Sequence, residues 1–420
     1  MRDIRRTIDA VWRMDGPLLI ATLARLVRDV GLAEELAQDA FVLALEQWPD
    51  HGIPDNPAAW LTATAKHKAI DAIRRERARD AKYAQLAAES DPSAARADSP
   101  EAVVDAPIGD DVLALIFVAC HPVLPLESRV ALTLRLLGGL STEEIARAFL
   151  LPPATIGQRI SRAKRTLAEA RVPFAVPDTD ELPARLTGVL EVVYLIFNEG
   201  YSATSGDAWI RRDLAEEAMR LGRRLAGLVP REAEAHGLVA LMELQAARFP
   251  ARLDAAGSMV LLQDQNRLLW DRSLIRHGLG ALERAIALRR PLGPYALQAA
   301  IAGVHSRARD WESTDWAGIV ALYDALAQLL PSPVVELNRA VAVLMADGPE
   351  AALVVLDAVR DDRRLARYHL LGAVRGDVLS RLGRHREAAA ELEQAAALAP
   401  TRHERILLME RAAAAAAVAD

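Results

Sequence analysis

The chain has 420 residues, of which 52% are hydrophobic and only 5% aromatic, and 51 Lys+Arg against 57 Asp+Glu leave a net charge of −6. That length exceeds one ordinary core and implies about two or three domains, while an Ala- and Leu-rich, aromatic-poor composition favours helices over sandwiches or barrels. The single cysteine, Cys120, excludes a disulfide framework and a multi-cysteine zinc site.

The N-terminus, MRDIRRTIDAVWRMD, is charged and lacks the apolar core and cleavage site of a signal peptide. PLLIATLARLV is interrupted by Arg25 and is too short to span a bilayer, so a cytoplasmic protein with no membrane partner is expected. The first 80 residues read as helical, with a break at Asp29-Val30-Gly31. In AEELAQDAFVLALEQW the apolar positions Leu36, Ala40, Phe41 and Leu45 recur at helical spacing. WPDHGIPDNP is a loop by its Pro, Gly, Asp and Asn content, and a further helix is expected to start near Asn56-Pro57.

Charge is unevenly spread. Residues 66–82 carry seven Lys/Arg against three acids, and residues 159–171 carry five against one. Between them, residues 86–111 carry one Arg against seven acids. Low hydrophobicity and three prolines make AAESDPSAARADSPEAVVDAP an acidic flexible connector. Two basic helices on either side of it suit a protein that touches an acidic polymer at two places, although basic patches also arise on ordinary solvated faces.

A second small domain begins near residue 110 with the buried-helix pattern DDVLALIFVACHP, where Cys120 reads as structural. ESRVALTLRLLGG stops at a glycine pair. LSTEEIARAF follows, with Ser141 or Thr142 as N-cap and Glu144 completing a capping box. LLPP then turns the chain into PATIGQRISRAKRTL. At about 100° per residue, Ile156, Ile160, Ala163 and Leu167 share one apolar face. Thr155, Gln158, Arg159 and Arg162 share another, flanked by Lys164 and Arg165. Helix, tight turn and basic helix is the outline of a helix-turn-helix. Taken alone, this last helix reads better as an amphipathic helix with a solvated basic face, and only its context points to DNA.

From residue 185 onward the chain is a succession of helices. Gly376, Ala388, Leu392, Ala395 and Pro400 within residues 369–400 occupy the small and capping slots of a 34-residue tetratricopeptide repeat. Ala340, Ala352 and Leu356 mark a weaker copy over 333–366. No phosphate-cradling glycine loop, HExxH or nucleophile elbow is present, so no enzyme, cofactor or metal site is expected.

Two separated segments resemble one family. AEELAQDAFVLALEQW with PAAWLTATAKHKAIDAIRRE resembles region 2 of the extracytoplasmic-function (ECF) sigma factors of bacterial RNA polymerase. LSTEEIARAFLLPPATIGQRISRAKRTL resembles their region 4. NEGY (198–201), GPYALQAAIA (293–302) and DWAGIVALYDAL (315–326) resemble the extension of the subgroup with a C-terminal repeat domain. The resemblance implies an all-α fold: region 2 over 1–80, an acidic linker over 81–109, region 4 over 110–172, a linker over 173–184, and a tetratricopeptide-like regulatory domain over 185–420.

The implied partners are polymerase core (the β′ coiled coil, and β), promoter DNA, and a protein or peptide bound by the repeats. Glu34, Glu35, Gln38 and Asp39 would be the exposed polar positions facing polymerase. Asp55, Asn56, Ala58, Lys66, His67, Arg74 and Arg75 would meet the melted −10 strand, His67 standing where many relatives carry Asn. Thr155, Gln158, Arg159 and Arg162 would read the −35 major groove, with Lys164 and Arg165 on phosphates. Leu150 takes a turn position where relatives often have Gly. The alternative function is a helix-turn-helix regulator with a repeat-domain sensor that is no polymerase subunit.

Overall fold

The computed structural model describes residues 2–88, 108–149, 151–201, 212–254, 260–399 and 402–419. Apart from three short 3₁₀ turns, its regular elements are eighteen α-helices, and the chain clusters into two compact units. One comprises Met1–Gly200 with Arg211–Leu228, the other Tyr201–Ile210 with Val229–Asp420.

In the first unit, α1 (Arg2–Val27), α2 (Val30–His51) and α3 (Pro57–Ala88) pack pairwise on one another. Arg28 takes a left-handed conformation (φ 56°) and Asp29 caps α2 by accepting from Leu32 N at 2.8 Å, which accounts for the expected break. α2 runs through Pro49 to His51, so the loop is shorter than its composition implied. A proline in the last turn removes only one helical bond. The apolar stripe of α2 also differs: Ala33, Leu36, Ala37, Ala40, Phe41, Ala44 and Trp48 are buried, whereas Leu45 is exposed. α3 extends to Ala88, beyond the expected boundary at 80, and the remaining connector (89–107) lies outside the described residues.

α4 (Ile108–Ala119), α5 (Leu126–Leu136), α6 (Thr142–Ala148) and α7 (Pro153–Glu169) follow. α4 is buried nearly all round and packs on α1 and α5. Its extension Cys120 lies with Sγ 3.4 Å from Thr133 Oγ1, and burial pushes the thiol pKa up to about 11. After α5, Gly139 takes φ 67°, a conformation that favours glycine, and its carbonyl accepts from Trp12 Nε1 at 3.0 Å.

α8 (Leu182–Tyr201) and α9 (Arg212–Leu228), expected with the extension, cluster with this first unit. α9 buries Leu214, Ala218, Leu221 and Leu225 and packs on α4, and Arg220 donates to the Leu137 carbonyl at 2.6 Å. An amphipathic pattern says that a face is buried, but not against which element. NEGY (198–201) forms the last four residues of α8.

The second unit is a chain of helices: α10 (Ala233–Ala246), α11 (Arg272–Ala287), α12 (Pro294–Arg307), α13 (Trp316–Leu329), α14 (Pro333–Ala346), α15 (Pro349–Val359), α16 (His369–Arg381), α17 (His385–Leu398) and α18 (Arg402–Ala419). Each packs on its neighbours in sequence. Ala340, Ala352, Leu356, Ala388, Leu392 and Ala395 are all buried, while Pro400 lies outside the described residues. At Gly376 an added Cβ would meet Leu392 Cγ at 2.5 Å, so α16 and α17 approach too closely there for any side chain.

Candidate nucleic-acid interface

The recognition-helix outline is built locally. Ser141 caps α6 by accepting from Glu144 N at 3.1 Å, and the Glu144 carboxylate accepts from Ser141 N at 2.7 Å, completing the expected capping box. Leu151 N donates back to Ala146 O at 3.0 Å, and Pro152 then caps α7 with Pro153 in its first turn. Leu150, the turn position, lies outside the described residues.

The two faces of α7 separate cleanly. Ile156, Ile160, Ala163 and Leu167 are buried against α5 and α6. Gln158, Arg162 and Arg165 are exposed, and Thr155 and Arg159 are half-buried beside them. Arg165 makes only a solvent-exposed pair with Glu169 at 3.7 Å, an interaction worth well under about 1 kcal/mol. Lys164 is different: its ammonium pairs with Glu34 and is largely covered. Past the C-cap Ala170 the chain turns at Arg171, φ 49°, with Val172 N bonded to Leu167 O at 3.1 Å.

On α3 the loop residue Asn56 caps the helix by accepting from Ala59 N at 3.1 Å. Asp55 is exposed and Ala58 half-buried. His67, Arg74 and Arg75 are exposed along the helix, and Lys66 is half-buried. Trp60 packs edge-on against the buried Trp48, ring centroids 5.6 Å apart, so it serves the core.

The four polar positions of α2 do not behave alike. Glu35 and Asp39 are exposed, Asp39 pairing with Lys68 at 3.2 Å. Gln38 is half-buried. Glu34, expected to be exposed, is 1% exposed. Its Oε1 accepts from Arg135 Nε at 2.6 Å and from Gln38 Nε2 at 2.5 Å, and its Oε2 meets Lys164. Arg135 is a residue to which neither helical spacing nor the family resemblance points. The available signal was a lone arginine in the otherwise apolar run VALTLRLL, where a buried charge needs a partner.

Among the described residues no cluster of His, Cys, Asp and Glu could hold a metal ion, and no helix is long and apolar enough to cross a membrane.

Comparison with known proteins places these elements. Residues 11–79 match Sigma-70 region 2, residues 114–167 match Sigma-70 region 4, and residues 185–286 match a family of unknown function, DUF6596. An uncharacterized protein of Rhizobium meliloti is 44% identical over 383 residues, covering 91% of this chain and 90% of that protein. The ECF RNA polymerase sigma factor SigC of Mycobacterium tuberculosis is 30% identical over 171 residues, covering 39% of this chain and 78% of SigC. The probable ECF sigma factor SigI of the same species is 27% identical, covering 40% of this chain and 57% of SigI. No solved structure matches.

Proposed function

Because the chain belongs to the ECF sigma factors of bacterial RNA polymerase and carries a C-terminal extension, we propose that its named side chains divide promoter recognition between α3 and α7 and that the extension regulates it. RNA polymerase core and promoter DNA are the partners that membership brings. The observation that carries the division is the form of α7, seated by four buried apolar residues while Gln158 and Arg162 stand in solvent. Gln pairs bidentately with adenine and Arg with guanine in the major groove, each pair discriminating by about 1–3 kcal/mol. Thr155 and Arg159 border that sector, and Arg165 serves phosphate.

On the −10 side, Asp55, Asn56 and Ala58 form the loop edge. Lys66, His67, Arg74 and Arg75 supply a basic track suited to a single strand. Glu35, Gln38 and Asp39 offer α2 to polymerase. The extension has two parts in this reading. α8 and α9 brace the region 4 helices, Arg185 Nη2 donating to Phe117 O at 3.0 Å and Arg220 to Leu137 O. The helix pairs from α14 to α17, read as tetratricopeptide-like, hold a protein or peptide partner.

Run-off transcription with purified core tests the first part: the full chain must give promoter-specific transcripts above core alone. Ending the chain after Leu228 tests the second. A rise in transcription assigns inhibition to the repeats, a collapse assigns activation, and no change removes them from control.

A further inference from the structure

The loop between α10 and α11 in the second unit gathers positive charge that nothing beside it neutralises. Arg248 follows α10, Arg252 closes the next 3₁₀ turn, and Arg267 opens another. All three lie in the stretch that matches the family of unknown function. Arg267 is 8% exposed and the other two are half-buried, yet among the described residues none of them makes an ion pair. Asp310 and Glu312 act on Arg267 only at longer range. Withdrawing a cation from water is costly, so buried charges are ordinarily paired.

The three guanidinium groups are engaged differently. Arg267 is taken up by the fold, donating to His305 O at 2.7 Å, Ala308 O at 3.0 Å and Thr314 Oγ1 at 3.3 Å. Arg252 donates to Tyr201 O at 2.8 Å and lies over the Tyr201 ring, Cζ 3.9 Å from its centroid. Arg248 is held in place without being used up. Its Nε donates to Gln265 Oε1 at 3.3 Å, and its Cζ lies 5.8 Å from the Trp270 ring centroid. Gln265 is 7% exposed and is itself fixed by donating to Val260 O at 3.1 Å. The two Nη groups of Arg248 donate to nothing among the described residues. A guanidinium with its Nε pinned and its fork free is preorganised to take an oxyanion bidentately.

Arg248 is also the like-charged neighbour of the other groups. Burial, opposed by Tyr201 and reinforced by Arg248, depresses the Arg252 pKa, and burial together with Arg248 and Arg267 holds His305 down at about 4. An anion seated on Arg248 relieves this repulsion at several places at once.

We propose that Arg248 and Arg252 bind the phosphoryl group of a small molecule, with Arg267 adding to the positive field. A doubly charged group fits better than a carboxylate because three cations, rather than one, lack a counter-charge. The site stands apart from the promoter-reading faces of α3 and α7 and does not depend on their roles.

Isothermal titration of the full chain with inorganic pyrophosphate at fixed ionic strength shows saturable binding, which Arg248→Gln weakens about tenfold or more. Arg248→Lys keeps the charge, loses the fork and falls between them. In phosphate-free buffer Arg248→Gln melts no lower than the parent, because it has lost an unpaired cation. Pyrophosphate raises the melting temperature of the parent and not of this variant. In the ¹³C-histidine-labelled chain the His305 ring signals, identified by their loss in His305→Phe, move with the same midpoint, and the His305 pKa rises from about 4. A nucleoside diphosphate that binds tighter than pyrophosphate adds a base to the ligand, and equal affinity leaves the phosphate alone; the site stands in both cases. Acetate binding as tightly as pyrophosphate overturns the phosphoryl assignment. Pyrophosphate binding that both Arg248 variants leave intact, or that the His305 signals do not sense, overturns the site.

Discussion

The two compact units are held together in different ways. In the first, key contacts join residues far apart in sequence: Arg135 with Glu34, Trp12 with Gly139, Arg185 with Phe117. In the second, helices pack on those one or two places along the chain, as α16 and α17 do where Arg375 joins Glu391 at 3.0 Å and α10 does on α12. A non-local unit should lose stability throughout when one contact fails, whereas a nearest-neighbour stack should fail locally.

The strongest way to break this comparison is Phe117→Ala. Phe117 is fully buried in α4, and removing its ring costs about 3–5 kcal/mol. Hydrogen exchange should accelerate across α1, α2, α5 and α7 together. Acceleration confined to α4 would mean that the first unit is also modular.

Acid should act on the second unit. Burial, together with the nearby Arg248 and Arg267, lowers the His305 pKa from 6.5 to about 4. Between those values the unfolded chain holds the proton and the folded chain does not. Stability is therefore complete above about pH 6.5 and declines as pH falls towards 4, by up to about 3 kcal/mol. Urea unfolding from pH 7 to 4 measures the slope, and His305→Phe, stacking on Trp311 and meeting Trp316 edge-on in place of the imidazole, should flatten it.

The comparison sharpens further at Gly376→Val. The new side chain collides with Leu392, at a cost of about 1–3 kcal/mol, and exchange should accelerate in α15 to α18 while α10 to α12 keep their protection. The smallest effect has the opposite sign. An added Cβ at Gly157 meets nothing nearer than Thr142 Cγ2 at 3.9 Å, so Gly157→Ala should stabilise α7 by up to about 1 kcal/mol, read as a higher melting temperature.

Local signals were legible in the sequence wherever one element determines its own geometry. The Ser141–Glu144 capping box, the Asn56 cap and the buried face of α7 all follow from spacing. What spacing does not encode is which distant element covers a face. α2 has apolar residues on more than one side, so Leu45 read as core where Ala44 and Trp48 are buried instead. Glu34 read as a solvent-facing acid for the same reason, because Arg135 and Lys164 lie 101 and 130 residues further along. α8 and α9 look like further members of the helical run, and only their partners place them with the first unit.

The central claim is that α7 reads promoter sequence through its exposed sector. Its most direct test is run-off transcription by core plus the full chain on a library randomised at the −35 element. Gln158→Ala and Arg162→Ala should each change which bases are preferred at one position, by roughly 10- to 100-fold in discrimination, while Arg165→Ala lowers transcription from all templates alike. Uniform losses from all three substitutions, with the preferred sequence unchanged, would contradict it.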